Sequence, residues 1–160
     1  MSTKDAIITL PRSIEGKIPH LLIARAPYYK KIVDGLTEGA LVVLKGVGAT
    51  SDIMDTAGAY ELPQVLGIAA RAAKKYDGFI LLGCIIKGET DHYDFICQAT
   101  MQGIIDIASR LGVCVGTGLL TCHTISQALA RSGSGLSNKG SEAAAAALGQ
   151  ISIARYLGST

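Results

Sequence analysis

The chain has no tryptophan and only two phenylalanines, and aromatic residues make up 5% of its 160 positions. Stacking platforms for single-stranded nucleic acid need more aromatics than that. Charge is scarce too: acidic and basic residues together are 18%, with a formal net charge of +2. A nucleic-acid partner would call for a basic face with interleaved aromatics, so none is expected. No stretch of roughly 20 residues escapes a polar break, the length a membrane-crossing helix needs, and no membrane role is expected either. Cys84, Cys97, Cys114 and Cys122 include no C-x-x-C pair. Each falls in a strand or helix pattern, where cysteine acts as a small buried hydrophobe, and free thiols in a reducing cytoplasm are the expectation. Met1 to Lys17 lacks the basic-then-apolar order and cleavage site of a secretory signal, again consistent with a cytoplasmic chain.

What is present is a large apolar share, 49%, in a chain long enough for one domain with a real core. We read residues 1–160 as a single domain, with 1–17 a flexible or edge-strand arm in which Ala6 to Leu10 is the strand candidate. Short apolar runs alternate with helical patterns. Strands are expected at Leu21–Ala24, within Thr50–Thr56, at Phe79–Ile86 and at Val113–Leu120. Helices are expected through Ile32–Val43, Leu62–Ala73, Tyr93–Leu111, a short one capped by Thr124 and ending at Ser132, and one carrying Ala143 to Leu157. Alternation of this kind, with right-handed crossovers, predicts an α/β fold: a three-layer α/β/α sandwich on a four-stranded parallel sheet of flavodoxin-like topology.

Ligands of open parallel sheets sit beyond the carboxyl ends of the strands. Three distinctive segments fall there: Ala26-Pro27-Tyr28-Tyr29, Gly58-Ala59-Tyr60-Glu61, and Lys87 to His92. In the last, the apolar run Phe79–Ile86 stops at a lysine and a glycine, followed by acids, a hydroxyl and a histidine. That is a strand opening onto a helix amino terminus, where free amides can hold a phosphate and an imidazole can move protons near neutral pH. A lone histidine at a helix start is ordinarily a surface or capping residue; the strand-end position of His92 beside Gly88 and Thr90 favours function. Glu61 could merely complement a helix dipole, or accept hydrogen bonds from a polyol. Tyr28 could be core packing, or stack on a flat heterocycle. Arg131, at the end of a short helix, is equally explained by the dipole or by an anion. His20 and His123 are not at metal-ligand spacing, so no metal is expected. A Cys84–His92 nucleophile lacks a visible orienting group.

Taken together, Gly58-Ala59-Tyr60-Glu61-Leu62-Pro63, the run from Leu82 to Asp94, and Asn138-Lys139-Gly140 with Glu142-Ala143-Ala144 resemble the lumazine synthase family, in the same order and at similar separations, from about Leu21 to Leu148. The resemblance implies that Tyr28 matches the aromatic stacking on a pyrimidine, that Ala59, Tyr60 and Glu61 match the segment holding a ribityl chain and ring, and that Cys84, Ile85 and Ile86 match the strand tip at the ring edge. It implies Glu89 and Thr90 as the phosphate loop, His92 as the proton-transfer residue and Arg131 as the phosphate-binding arginine. Departures accompany it. Pro27-Tyr28 stands where Arg-Phe or Arg-Trp is common, Lys87 replaces a usual arginine, and Ala57 a common proline. Thr117 occupies the position where many members place an aromatic that reaches the neighbouring subunit's site.

The resemblance implies condensation of 5-amino-6-(ribitylamino)uracil with 3,4-dihydroxy-2-butanone 4-phosphate to 6,7-dimethyl-8-ribityllumazine, without metal or cofactor. It also implies small-molecule substrates, a homopentamer or a higher assembly of pentamers, and riboflavin synthase as a candidate partner. The alternative is a catalytically idle relative that forms shells or binds flavin-like ligands; loss of His92, Arg131 or the Gly88–Thr90 loop would mark it, and none is lost. A flavodoxin-like electron carrier would need a phosphate loop after the first strand, and Ala26-Pro27-Tyr28-Tyr29 has no glycines for one.

Overall fold

A computed structural model describes residues 14–135 and 137–159; the expected strand at Ala6–Leu10 lies outside them. Four strands form one sheet: β1 (His20–Ala26), β2 (Thr50–Asp55), β3 (Gly78–Ile86) and β4 (Val115–Cys122). Their order is β2-β1-β3-β4 and every pairing is parallel. The helices are α1 (Lys30–Gly46), α2 (Leu62–Arg71), α3 (His92–Leu111), α4 (Ile125–Ser132) and α5 (Lys139–Tyr156).

Successive strand residues face opposite sides, and both sides are covered. Leu21 and Ile23 of β1, with Ile80 and Leu82 of β3, pack with Leu36 of α1, Ala128 of α4 and Leu148 of α5. Leu22, Ala24 and Leu81 pack on the other side with Leu62 and Leu66 of α2 and Ile104 of α3. This is the expected three-layer sandwich, and its continuous apolar strands are those of a parallel sheet buried on both faces. The strand order reverses between β1 and β3, so the crevice beyond their carboxyl ends is the topological switch point.

Two glycines, Gly116 in β4 and Gly140 in the first turn of α5, are close-approach positions. A Cβ on Gly116 would lie 1.8 Å from the Ala143 carbonyl oxygen, so α5 can rest directly on β4. Gly140 meets the Leu36 carbonyl at the same 1.8 Å, and α5 thereby seats on α1. Gly112 ends α3 in the left-handed region, φ 63°, its N–H donating to the Ala108 carbonyl, the expected helix stop.

Boundaries differ at two places. α2 stops at Arg71 instead of continuing to Ala73, because Ala72 turns extended (ψ 159°) and the chain carries Lys74 and Tyr76 onto the Asp52 carboxylate of β2. β4 runs two residues later than its apolar pattern predicts. It pairs with the length of β3 from Phe79↔Val115 to Ile86↔Cys122, and Val113 and Cys114 are left in the connection. The tip of β4 is therefore Thr121-Cys122, level with Ile85-Ile86. The thin second strand forms at the sheet edge, half-exposed along its length.

Candidate functional site

The three segments expected at the strand ends lie there. Pro27–Tyr29 and Ala59–Glu61 are each a single 3-10 turn, directly after β1 and before α2. The first packs against α1 and β3, the second against α3 and β3. The stretch 87–91 joins the end of β3 to His92, the first residue of α3.

Tyr28 is 78% exposed at the crevice, its ring edge-on to Tyr29 at 5.1 Å. Tyr29 is turned inward beside Cys84, and burial raises its phenol pKa. One aromatic therefore supports the other and leaves Tyr28 a free face. The 59–61 turn is held from below. Arg25 at the end of β1 grips Asp55 at the end of β2 through two bonds, Nε to Oδ1 at 2.7 Å and Nη2 to Oδ2 at 3.0 Å. The hydrogen bond from Arg25 keeps the Asp55 carboxyl below its ordinary range. The Thr56 amide then donates to the Arg25 carbonyl at 2.7 Å, and the Thr56 hydroxyl to the Gly58 carbonyl at 2.9 Å. The Glu61 carboxylate folds back over Gly58, 3.1 Å from where a Cβ there would sit. Tyr60 is half-exposed and Ala59 partly buried against the α2–α3 core.

Ile85 and Ile86 are half-buried at the tip of β3, whereas the Cys84 side chain is buried on the α1–α5 side. Burial, with Cys122 adding to it, pushes the Cys84 thiol up to about 12. A thiolate nucleophile is thus disfavoured at neutral pH; Cys84 can contribute backbone and shape here. Glu89, Thr90 and His92 are exposed. Asp91 occupies the N-cap of α3 without a side-chain capping bond, so amides at this helix start are not masked by a carboxylate. An anion would meet those amides rather than the Glu89 side chain.

Arg131 and Thr117 stand together beside β4. They line a cleft of about 220 Å3 along the free edge of β4, together with Gly118 to Cys122 and Lys139. Thr117 pairs with Leu81, five positions short of the Ile86↔Cys122 tip, which is about 16 Å at strand rise. Arg131 is fixed by its own helix, Nη1 donating to the Gln127 carbonyl at 2.9 Å. α4 starts as expected, the Thr124 hydroxyl accepting from the Gln127 amide at 3.3 Å. Its reciprocal bond is shifted by one residue, with Gln127 Oε1 accepting from the His123 amide. Lys139 joins the cleft as a second cation, its Nζ 2.5 Å from Glu142 Oε1. Sequence reading used Lys139 only as part of the Asn138-Lys139-Gly140 motif and gave it no role, and it overlooked Arg25 and Asp55. The one available signal was an Arg and an Asp each ending a strand, and it becomes meaningful only when β1 and β2 are known to pair.

β3 touches both the 27–29 and the 59–61 turn, and the 59–61 turn also touches α3, which begins at His92; Thr117 and Arg131 line the cleft beside β4, whose lining reaches Thr121 and Cys122 at the level of Ile85 and Ile86. Among the described residues no three His, Cys, Asp or Glu side chains converge as metal ligands, and no helix is long and apolar enough to cross a membrane.

Comparison with known proteins places the chain in one family. The family model described as 6,7-dimethyl-8-ribityllumazine synthase matches residues 18–155. A protein of that name from Paramagnetospirillum magneticum is 39% identical over 144 residues, covering 86% of this chain and 96% of the relative. The Agrobacterium fabrum protein of the same name is 38% identical over 144 residues, covering 88% and 97%. 6,7-Dimethyl-8-ribityllumazine synthase 1 of Rhodopseudomonas palustris is 39% identical over 141 residues, covering 86% of each.

Proposed function

Because the chain belongs to the 6,7-dimethyl-8-ribityllumazine synthase family, we propose that it is an enzyme of riboflavin biosynthesis that condenses 5-amino-6-(ribitylamino)uracil with 3,4-dihydroxy-2-butanone 4-phosphate. What supports this reading is that an exposed tyrosine, a turn bearing a carboxylate, and a helix start without a side-chain cap beside an imidazole all fall at the carboxyl ends of neighbouring parallel strands.

Each part has work suited to its chemistry. The Tyr28 face stacks on the pyrimidine, and the 59–61 turn, locked by Arg25–Asp55, accepts hydrogen bonds from the ribityl hydroxyls through Glu61. Ile85 and Ile86 close on the ring edge. The pyrimidine amine condenses with the ketone carbonyl with loss of one water, phosphate departs by elimination, and the ring closes with loss of a second water. Holding the two reactants face to face supplies much of the acceleration. The amides of 88–90 and a guanidinium stabilise the departing phosphate, and His92 relays protons between the carbonyl oxygen, the amine and water.

The site is completed between subunits. Arg131 and Thr117 line a cleft on the edge strand β4, and on this reading a head-to-tail neighbour receives them, a geometry that closes into a ring. Apolar surface supports this assembly. Only Thr100 and Ile104 of the twenty residues in α3 are buried, and Phe95, Met101 and Ile105 are exposed on it with Ile68 of α2 nearby in the same layer, a face that a partner would cover. A homopentamer, its further assembly, a cytoplasmic location and riboflavin synthase as partner follow from the same reading. The test is direct: the protein mixed with the two substrates should produce the absorbance and fluorescence of the lumazine together with inorganic phosphate. Folded protein that yields neither product overturns the reading and leaves the idle relative.

A further inference from the structure

The stretch 88–91 has little of its own to hold it. Glu89, Thr90 and Asp91 are exposed, a Cβ on Gly88 would meet nothing within 4 Å, and among the described residues no side-chain hydrogen bond of 88–92 is formed. Its two ends, by contrast, are fastened to each other and to β4. At the entry, the Lys87 amide donates to the Cys122 carbonyl at 2.9 Å. At the exit, Tyr93 follows His92 on the first turn of α3. Its ring meets His123 edge-on at 6.1 Å, and its hydroxyl approaches Thr121 and Cys97. Across the base, Lys87 Nζ lies 5.6 Å from the centroid of the Tyr93 ring and 3.6 Å from Asp94 Oδ2.

We propose that Lys87 and Tyr93 form a clasp that closes the base of this loop and serves as its positioning device, setting the 88–90 amides for phosphate and the imidazole of His92 for proton transfer. The proposal rests on the reading of 88–92 as the phosphate and proton-transfer segment. Its physical basis is a cation over an aromatic face, with the aromatic itself wedged between α3 and the tip of β4. A loop with free flanks and joined feet keeps its geometry only while the feet stay joined. A displacement of order 1 Å at reacting groups is costly in rate. Lys87 acts through Tyr93 rather than as a phosphate ligand, and this separates the clasp from a simple charge effect.

A double-mutant cycle tests it. Tyr93→Leu and Lys87→Met are each expected to raise KM for the phosphorylated ketone and to lower kcat, with a combined loss of about tenfold in kcat/KM from mispositioning. KM for the pyrimidine should stay within about twofold, since stacking at Tyr28 is untouched. Lys87→Met should cost almost nothing further in the Tyr93→Leu background, Lys87→Arg should restore function, and Tyr93→Phe should retain most of it. Additive losses would make Lys87 an independent charge and overturn the clasp; so would equal effects on both substrates. Amide hydrogen exchange of 88–92 supplies a readout that needs no turnover: exchange should be faster in Lys87→Met and Tyr93→Leu than in the wild type, with the rest of α3 unchanged. Unaltered exchange refutes the clasp even in an active enzyme. Faster exchange in the variants, when the wild type itself makes no lumazine, supports the clasp while the functional reading fails. If Tyr93→Leu does not fold, Lys87→Met and Lys87→Arg carry the same comparison.

Discussion

The side-chain amide of Asn138 donates to the backbone carbonyl of Gly35 at 2.9 Å, joining residues 103 apart in the chain. The same nitrogen reaches the Ser132 and Gly133 carbonyls at 3.2 and 2.9 Å, so two hydrogens serve three acceptors. On its other side, Oδ1 accepts from the Gly140 and Ser141 amides and caps α5. One side chain, 3% exposed, therefore ties α1, the end of α4 that bears Arg131, and the start of α5 that bears Lys139.

Asn138→Ala should remove a cap worth about 1 kcal/mol and strand the buried Ser132 carbonyl at about 1–3 kcal/mol, so a loss of at least about 2 kcal/mol is expected. Asn138→Asp keeps the cap but turns a negative charge toward three carbonyls, and should be as damaging at neutral pH. Urea unfolding at fixed protomer concentration measures both, because assembly contributes to apparent stability. An Asp variant as stable as wild type would show that the donor half of the amide is dispensable.

His92→Ala should slow turnover by about 10²-fold, the lower range for a general acid–base group, while substrate affinities change little because the crevice is otherwise intact. Steady-state kinetics with each substrate varied separates the two quantities. An unchanged rate at neutral pH removes His92 from the mechanism.

Arg131→Ala should raise KM for the phosphorylated ketone far more than for the pyrimidine, which carries no phosphate for a guanidinium to match. Since Arg131 lines a cleft on the edge strand β4, inactive His92→Ala and inactive Arg131→Ala chains, co-assembled, should recover activity at interfaces that receive a good residue from each. Mixed assemblies, verified by mass, that remain inactive would place both residues in one subunit's site.

At the opposite end of the sheet, Asp52 receives Lys74 Nζ at 2.5 Å, the Tyr76 hydroxyl at 2.8 Å and His20 Nε2 at 3.2 Å. Lys74, then Tyr76, lower its pKa from 3.8 to about 2. A carboxyl whose folded value lies below its unfolded one stabilises the fold above the unfolded value, and that contribution disappears as pH falls through the folded value. Asp52→Asn should therefore lower stability at pH 7 and flatten the loss of stability between pH 3.8 and about 2. Thermal melts of both proteins across that window decide it; identical acid limbs would mean the carboxylate is screened by solvent.

Much of the architecture was legible because its signals are local. Apolar runs of strand length, helical spacing through Ile32–Val43, the Gly112 stop and the Thr124 cap each depend on a few adjacent residues, and together they specified the parallel sandwich and the strand ends where the motifs lie. Tyr28, the 59–61 turn and His92 were readable for the same reason: each follows directly on an element whose end could be located. Only the tertiary structure decided which elements meet and in what register. It moved β4 two residues onward by pairing it along β3, ended α2 early through contacts to Asp52, set Thr117 and Arg131 in one cleft beside β4, and joined Arg25 to Asp55, Lys87 to Tyr93 and Asn138 to Gly35. Periodicity reports which face of a segment is apolar, but a side-chain pair across two elements depends on backbone positions set by the packing of the whole core.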